Sequence, residues 1–218
     1  MNTKALVLCD DYWHPAITPH AGLKQLAGDK YEEAFDWMEN AREWPALCIH
    51  DYPLIILVKA NEVSSTDRSP WMTSEVQSEL LNYVQQGGGL LAVHSGTAEY
   101  KEAPVLRALL GGVFDRHPPQ CMVTVESTFE NELTRGTAPF TIKDEHYFMW
   151  MGDAPVDVFL KSVSEHGEQP AGWRRSEGTG RVVVLTPGHN VEVWLHPDYQ
   201  VLLRNAAKAC ASVPLPWF

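Results

Sequence analysis

The sequence predicts an α/β fold, an open, mostly parallel sheet with helices on both faces. Three observations lead there. The runs ALVLC (residues 5–9), PLIILV (53–58) and LLAV (90–93) are apolar without alternation, as strands are when both faces are covered. Residues 54–112 read strand, helix, strand, helix, the order that sets parallel strands side by side beneath crossover helices. The 218 residues suffice for one sizeable core, and no repeat, low-complexity tract or linker divides them; residues 1–218 are read as a single domain.

Taken in order, residues 4–9 form the first strand, and the polar, aromatic stretch 10–19 is a long loop leaving its carboxyl end. Residues 22–27 form a short helix, whereas 32–38 fit helix or strand. After the strand 53–58 comes a loop, 61–71, and then a helix capped by Thr73 or Ser74. Val76, Leu80, Leu81 and Val84 recur at helical spacing and press one face on the sheet, and Gly87, Gly88 and Gly89 stop the helix. The strand 90–93 runs into His94, Ser95, Gly96 and Thr97; a helix follows through Val105, Leu106, Leu109 and Leu110 and ends at Gly111 and Gly112. The second half is richer in strands, at 121–125, 157–163 and 181–185, and closes with a helix over 197–211. The prolines of the tail SVPLPWF end that helix.

The formal charge of −11, with no basic stripe, opposes nucleic acid and anionic membranes as partners. Arg174, Arg175 and Arg181 lie close together, either as a local positive pocket or as solvated loop charges. Cys9, Cys48, Cys121 and Cys210 are scattered without a CxxC pair, so no disulfide scaffold is expected. The first apolar run is too short for a secretory signal and no stretch is long enough to cross a bilayer, which makes the cytoplasm the expected location. The aromatic tail PLPWF offers a contact for a homo-oligomer.

The most informative run is GGGLLAVHSGTAEY, residues 87–100. Open α/β sheets bind ligands at the carboxyl ends of their strands, so His94 or Ser95 sits on a tight turn beside backbone N–H groups at a helix start. A serine elbow needs G-x-S-x-G, but Ser95 has Val93 and Thr97 at the outer positions. Centred on His94 the outer positions are Ala92 and Gly96, so the apex residue is a histidine, suited to a base, an electrophile or a metal ligand. His117 in GGVFDRHPPQ, His146 in IKDEHYFM and His189 in LTPGHN also adjoin strand ends or stiff turns and can share its cleft.

Two chemistries are open for such a set. His94, His117, His146 and His189 can hold a divalent metal, although no HExxH or HxH spacing marks one. Without a metal, a histidine and Asp144 or Glu145 serve as base and acid. The expected catalytic residues are His94, Asp144, Glu145 and His189; Asp11, Trp13, His14, Ser95, His117, His146 and Tyr147 are expected to bind the substrate. The loop with Asp10, Asp11, Tyr12, Trp13 and His14 suits a carbohydrate, whose ring face stacks on an aromatic while its hydroxyls bond to carboxylates; it equally suits an aromatic plug at the end of the sheet.

GGGLLAVHSG, GGVFDRHP, DEHY and GRVVVLTPGH, in this order, make the chain resemble the ThuA-like (trehalose-utilisation) family. That family is similar to the class I glutamine amidotransferases, a flavodoxin-like three-layer sandwich. The amidotransferases carry a catalytic cysteine where this chain has His94, so the resemblance does not imply glutaminase activity. It does imply sugar catabolism, including trehalose and 3-keto-glycosides, and places a polar cleft on His94, His117, Asp144, Glu145, His146 and His189. Many members have an HP pair where this chain has ENELTRG, residues 130–136, which changes a substrate contact or reflects drift. The leading expectation is a hydrolase or lyase for a glycoside or 3-keto-glycoside. The alternatives are a non-covalent hydrolase of another small polar substrate and a non-catalytic carbohydrate-binding protein.

Overall fold

The computed structural model describes residues 4–46, 48–213 and 215. Its first half contains β1 (Ala5–Leu8), α1 (Ile17–Ala27), α2 (Tyr31–Ala34), β2 (Phe35–Met38), β3 (Leu54–Leu57), α3 (Ser74–Gln85), β4 (Gly89–Val93) and α4 (Pro104–Leu110). The second half adds β5 (Gly112–Arg116), β6 (Cys121–Ser127), β7 (Phe140–Asp144), β8 (Phe148–Met151), β9 (Asp157–Ser164), β10 (Gly167–Glu177), β11 (Gly180–Leu185), α5 (Val191–Leu195) and α6 (Pro197–Cys210).

The three apolar runs do form neighbouring strands. Among the described residues the main sheet has the order β2-β1-β3-β4-β11-β10-β9-β6-β7. From β2 to β11 every pairing is parallel, in the flavodoxin-like order. From β11 to β7 every pairing is antiparallel. A separate antiparallel pair joins β5 to β8.

Alternate side chains of the parallel strands enter two cores, which is why these strands read as unbroken apolar runs. Val7, Ile56, Leu91, Val93 and Val183 pack with Leu23 and Leu26 of α1, Trp194 of α5 and Leu202 and Leu203 of α6. Leu6, Leu8, Ile55, Leu57 and Leu90 pack on the other side with Leu80 and Val84 of α3 and Leu106 and Leu109 of α4. Each such buried side chain contributes roughly 1.5–3 kcal/mol.

Local signals set the helix ends. The Thr73 hydroxyl accepts from the Val76 N–H and caps α3. Pro104 opens α4, and Gly111, at φ +79°, ends it in the left-handed conformation. The ambiguous stretch 32–38 contains both structures, the turn of α2 and then β2. No helix begins at His94: residues His94–Thr97 form one 3₁₀ turn, and α4 starts only at Pro104.

The second half holds the strands expected at 121–125, 157–163 and 181–185 and the closing helix, and adds β5, β7, β8 and β10, which the sequence reading does not foresee. β10 contains Pro170, Arg174 and Arg175, and register shifts between Pro170 and Gly172 and between Gly172 and Trp173 let it pair. The three arginines are therefore strand residues with partners. Arg174 bonds to Asp157 and Glu132, Arg175 to the carbonyls of Ala108 and Leu109 and to Glu177, and Arg181 to the carbonyls of Ala209 and Ala211. Cys9, Cys48, Cys121 and Cys210 are free thiols. No helix among the described residues is long and apolar enough to cross a membrane. Tail positions 214 and 216–218, part of the expected oligomer contact, lie outside the described residues.

The turn at His94 depends on its glycine. A Cβ on Gly96 would stand 2.0 Å from the Leu57 carbonyl oxygen, a backbone atom of β3. Gly96→Ala is expected to destabilise the fold by about 1–3 kcal/mol, read as a lower urea midpoint; an unchanged midpoint would show that the turn has slack.

Candidate functional site

Four parallel strands end side by side and release their loops into one crevice, as open α/β sheets do. β4 delivers His94 directly. Its backbone is left-handed, at φ +47°, an unfavourable state for a residue with a Cβ. The Thr97 hydroxyl donates to the His94 carbonyl and fixes the turn, and Gly188 leaves room for His94, since a Cβ there would stand 3.2 Å from the His94 Cβ. His94 Nδ1 lies 2.8 Å from the Thr186 carbonyl oxygen. A carbonyl can only accept, so Nδ1 carries the proton and Nε2 presents its lone pair inward.

β1 delivers His14 in the same sense. Asp11, fully buried, accepts from the N–H groups of Trp13, His14 and Ala60 and meets His14 Nδ1 at 2.7 Å. These donors hold its carboxyl below the ordinary range although burial pushes the other way. His14 Nδ1 thus donates to Asp11, and Nε2 is left as the free lone pair. Beneath this loop lies the buried Lys59, whose ammonium donates to the carbonyls of Cys9, Asp10 and Glu39 and so ties together the ends of β1, β2 and β3.

Beyond β11, Asp144 accepts from the N–H groups of Gly188 and His189 at 2.8 and 3.0 Å and positions the loop that carries His189. The next residue, Glu145, reaches the centre of the site, although β7 is the far edge strand of the sheet order. Its carboxylate oxygens lie 3.4 Å from His94 Nε2, 3.3 Å from His189 Nδ1 and 3.5 Å from His117 Nε2. Burial works to raise the Glu145 carboxyl, but His189 and His94 outweigh it and hold it well below the usual carboxylate range. The same contact raises the His189 imidazole, whereas burial lowers that of His94.

One ligand atom from each of His14, His94, Glu145 and His189 lies within 4.8 Å of the other three. Whether these residues fit a metal is decided by their hydrogen bonds. His14 Nε2, His94 Nε2 and His189 Nδ1 are buried and have no hydrogen-bond partner of proper geometry. Two of these are lone pairs pointing inward, beside a carboxylate. That arrangement repels itself unless a cation lies between, and the donor set of three imidazoles and one carboxylate suits a divalent ion such as zinc. Asp11 and the Thr186 carbonyl act on the outer nitrogens, as supports of metal-bound histidines do.

The cluster opens into a cavity of about 380 Å³ lined by Trp13, His14, Ala60, Ala98, Glu99, Phe114, His117, Glu145, Tyr147 and His189. Trp13 is 58% exposed, and Tyr147 stacks beneath His94 with ring centroids 4.0 Å apart. A larger cavity, about 780 Å³, lies elsewhere, along Arg174, Arg181 and Lys208, and holds none of these groups.

The structure thus brings together His94, His189, Glu145, His14, His117, Trp13 and Tyr147. Asp11 and Asp144 stand behind the cluster as supports. Ser95 is buried beside His94. His146 turns away and bonds to the hydroxyls of Ser162 and Ser164. The cause is local: side chains along an extended run alternate, so Glu145 and Tyr147 reach the cavity while Asp144 and His146 do not. The fourth histidine of the central group is consequently His14. Sequence reasoning missed Lys59, Phe114 and Glu99. The signal for Lys59 was a charged residue placed directly after the apolar run PLIILV; that for Glu99 was a carboxylate five positions beyond the turn histidine.

The ThuA family profile, described as trehalose utilisation, matches residues 4–208. No curated protein matches the sequence. Among solved structures, a ThuA-like protein from Parabacteroides merdae superposes with a TM-score of 0.75 at 18% identity, over 98% of this chain and 92% of its own. One from Bacteroides uniformis gives 0.69 at 19%, over 96% and 95%. A β-galactosidase from Rahnella sp. R3 gives 0.66 at 15%, covering 94% of this chain but only 31% of the larger enzyme. At such identities the likeness is one of fold; the profile match carries the membership. The chain belongs to the ThuA, trehalose-utilisation, family.

Proposed function

We propose that the protein is an enzyme of sugar breakdown that cleaves a glycoside or 3-keto-glycoside at its glycosidic bond, with a divalent metal held by His14, His94, Glu145 and His189. The observation that carries this reading is the pair of buried imidazole nitrogens, His14 Nε2 and His94 Nε2, gathered with Glu145 and His189 without hydrogen-bond partners. The family description supports a sugar, and so does the cavity. Its volume of about 380 Å³ falls in the range of small-molecule sites, and the exposed Trp13 ring offers a platform for a sugar face.

A 3-keto group acidifies the neighbouring C–H, so the site must take up that proton and tolerate negative charge on the carbonyl oxygen. When bound, the metal supplies the positive charge for that oxygen. His117 lines the cavity but lies outside the four-donor set, and its Nδ1 bonds to the Pro118 carbonyl. Its Nε2, 3.5 Å from Glu145, is thus the ring nitrogen turned toward the site and the group placed to take the proton. Tyr147 and Phe114 supply apolar wall.

Two outcomes test this reading. Calorimetric titration with Zn²⁺ or Mn²⁺ is expected to show one site per chain, absent in His94→Ala and weakened about 10–100-fold in Asp11→Asn, which loses the support of His14; equal affinity in all three proteins would remove the metal from the reading. The purified protein is expected to convert 3-keto-trehalose or a 3-keto-glucoside, with activity abolished by a chelator and by Glu145→Gln. Saturable sugar binding without conversion would instead identify a binding protein.

A further inference from the structure

The three histidines and Glu145 leave few groups in the cavity able to move a second proton. Glu99 is one of them. It lies on the loop between the His94 turn and α4, and its side chain lines the cavity beside Trp13 and His14. Its backbone is left-handed, at φ +62°; among the described residues the other non-glycine positions with positive φ are Asp10 and His94. The strain is imposed from both sides. Ala98 is held by the bond from its N–H to the Ser95 carbonyl, and Tyr100 is fully buried with its hydroxyl donating to the Lys59 carbonyl. Such a state persists only where its surroundings over-determine it.

The groups facing Glu99 are Arg68, Glu62, Asp11 and His14. Arg68 is shared: it bonds to Glu62 at 2.5 Å, meets Glu99 only at 3.6 Å, and lies over the Tyr12 ring. Burial first, and then Glu62 and Asp11, raise the Glu99 carboxyl above its ordinary range, against the opposing pull of Arg68 and His14. Glu99, 44% exposed at the cavity wall, is thus a carboxyl outside the four-donor set of His14, His94, Glu145 and His189, held on a constrained backbone where a proton donor can meet a bound sugar.

We propose that Glu99 is the catalytic acid for the departing sugar oxygen, a role that rests on the glycoside-cleaving reading above. As the base removes the proton beside the keto group, that electron pair forms the C=C bond and the C–O bond to the leaving group breaks. Glu99 gives its proton to the departing oxygen and ends as the carboxylate. Substrate protons and electrons balance, and no oxidant is required.

The test compares leaving groups. Glu99→Gln is expected to slow cleavage of 3-keto-trehalose about 100-fold, to lose the fall in kcat/KM at alkaline pH, and to retain activity within about threefold on 4-nitrophenyl 3-keto-glucoside, whose leaving group needs no proton. Equal loss on both substrates, or no loss, overturns the assignment while leaving the glycoside reading intact. A wild-type protein inert toward both substrates overturns the two together. Glu99→Gly supplies a readout independent of turnover: releasing the left-handed backbone is expected to raise Tm by about 2–4 °C. A lowered Tm would show that the glutamate serves the fold and would likewise overturn the proposal.

Discussion

Imidazole lone pairs and a carboxylate that face one another repel unless positive charge lies between them, and Glu145 sits in that position between His94, His117 and His189. The surroundings of the cluster answer this constraint. The outer nitrogens of His14, His94 and His117 face Asp11, the Thr186 carbonyl and the Pro118 carbonyl, so their protons point away from the centre and their lone pairs toward it. A polypeptide that needed only packing at this place would gain more from apolar side chains, because buried polar groups without partners cost about 1–3 kcal/mol each. The cluster thus gathers four donor groups that could hold a divalent cation.

Around that centre, charge is arranged in layers. Lys59 neutralises the carbonyl-rich ends of three strands from below, and Asp144 organises the backbone of the His189 loop from the side. Neither lines the cavity. Each makes rigid a segment that carries a group which does. The strained residues Asp10, His94 and Glu99 all fall at the ends of the parallel strands or in the loops just beyond, where the packed sheet below can sustain the cost.

What the sequence made legible follows from burial. Runs covered on both faces cannot contain polar residues, so β1, β3, β4 and β11 declared themselves, and with them the strand-end position of His94 and His189. Strands that use the other rule were harder to see. β10 hides behind Pro170 and two arginines, β7 is short and mixed in polarity, and β8 is an apolar run of only four residues. The DEHY motif located the right segment, but adjacency in sequence says nothing of direction. An extended backbone sends neighbouring side chains to opposite sides, which separates Glu145 from His146. In sequence His14 reads as a substrate contact because its loop sets aromatic rings beside carboxylates; only the Asp11 bond reveals which nitrogen faces the cluster.

The position of β11 has a consequence for how the molecule comes into being. This strand lies between β4 and β10, yet among the described residues it is the last strand in sequence and leaves the ribosome after all of its neighbours. Until it arrives, a growing chain holds two unjoined half-sheets, each with an open edge available to other chains. The parallel half cannot meet the antiparallel half, and His189 and Glu145 have no common address. Synthesis that stalls before residue 180 therefore yields a sticky, inactive fragment rather than a weakened enzyme.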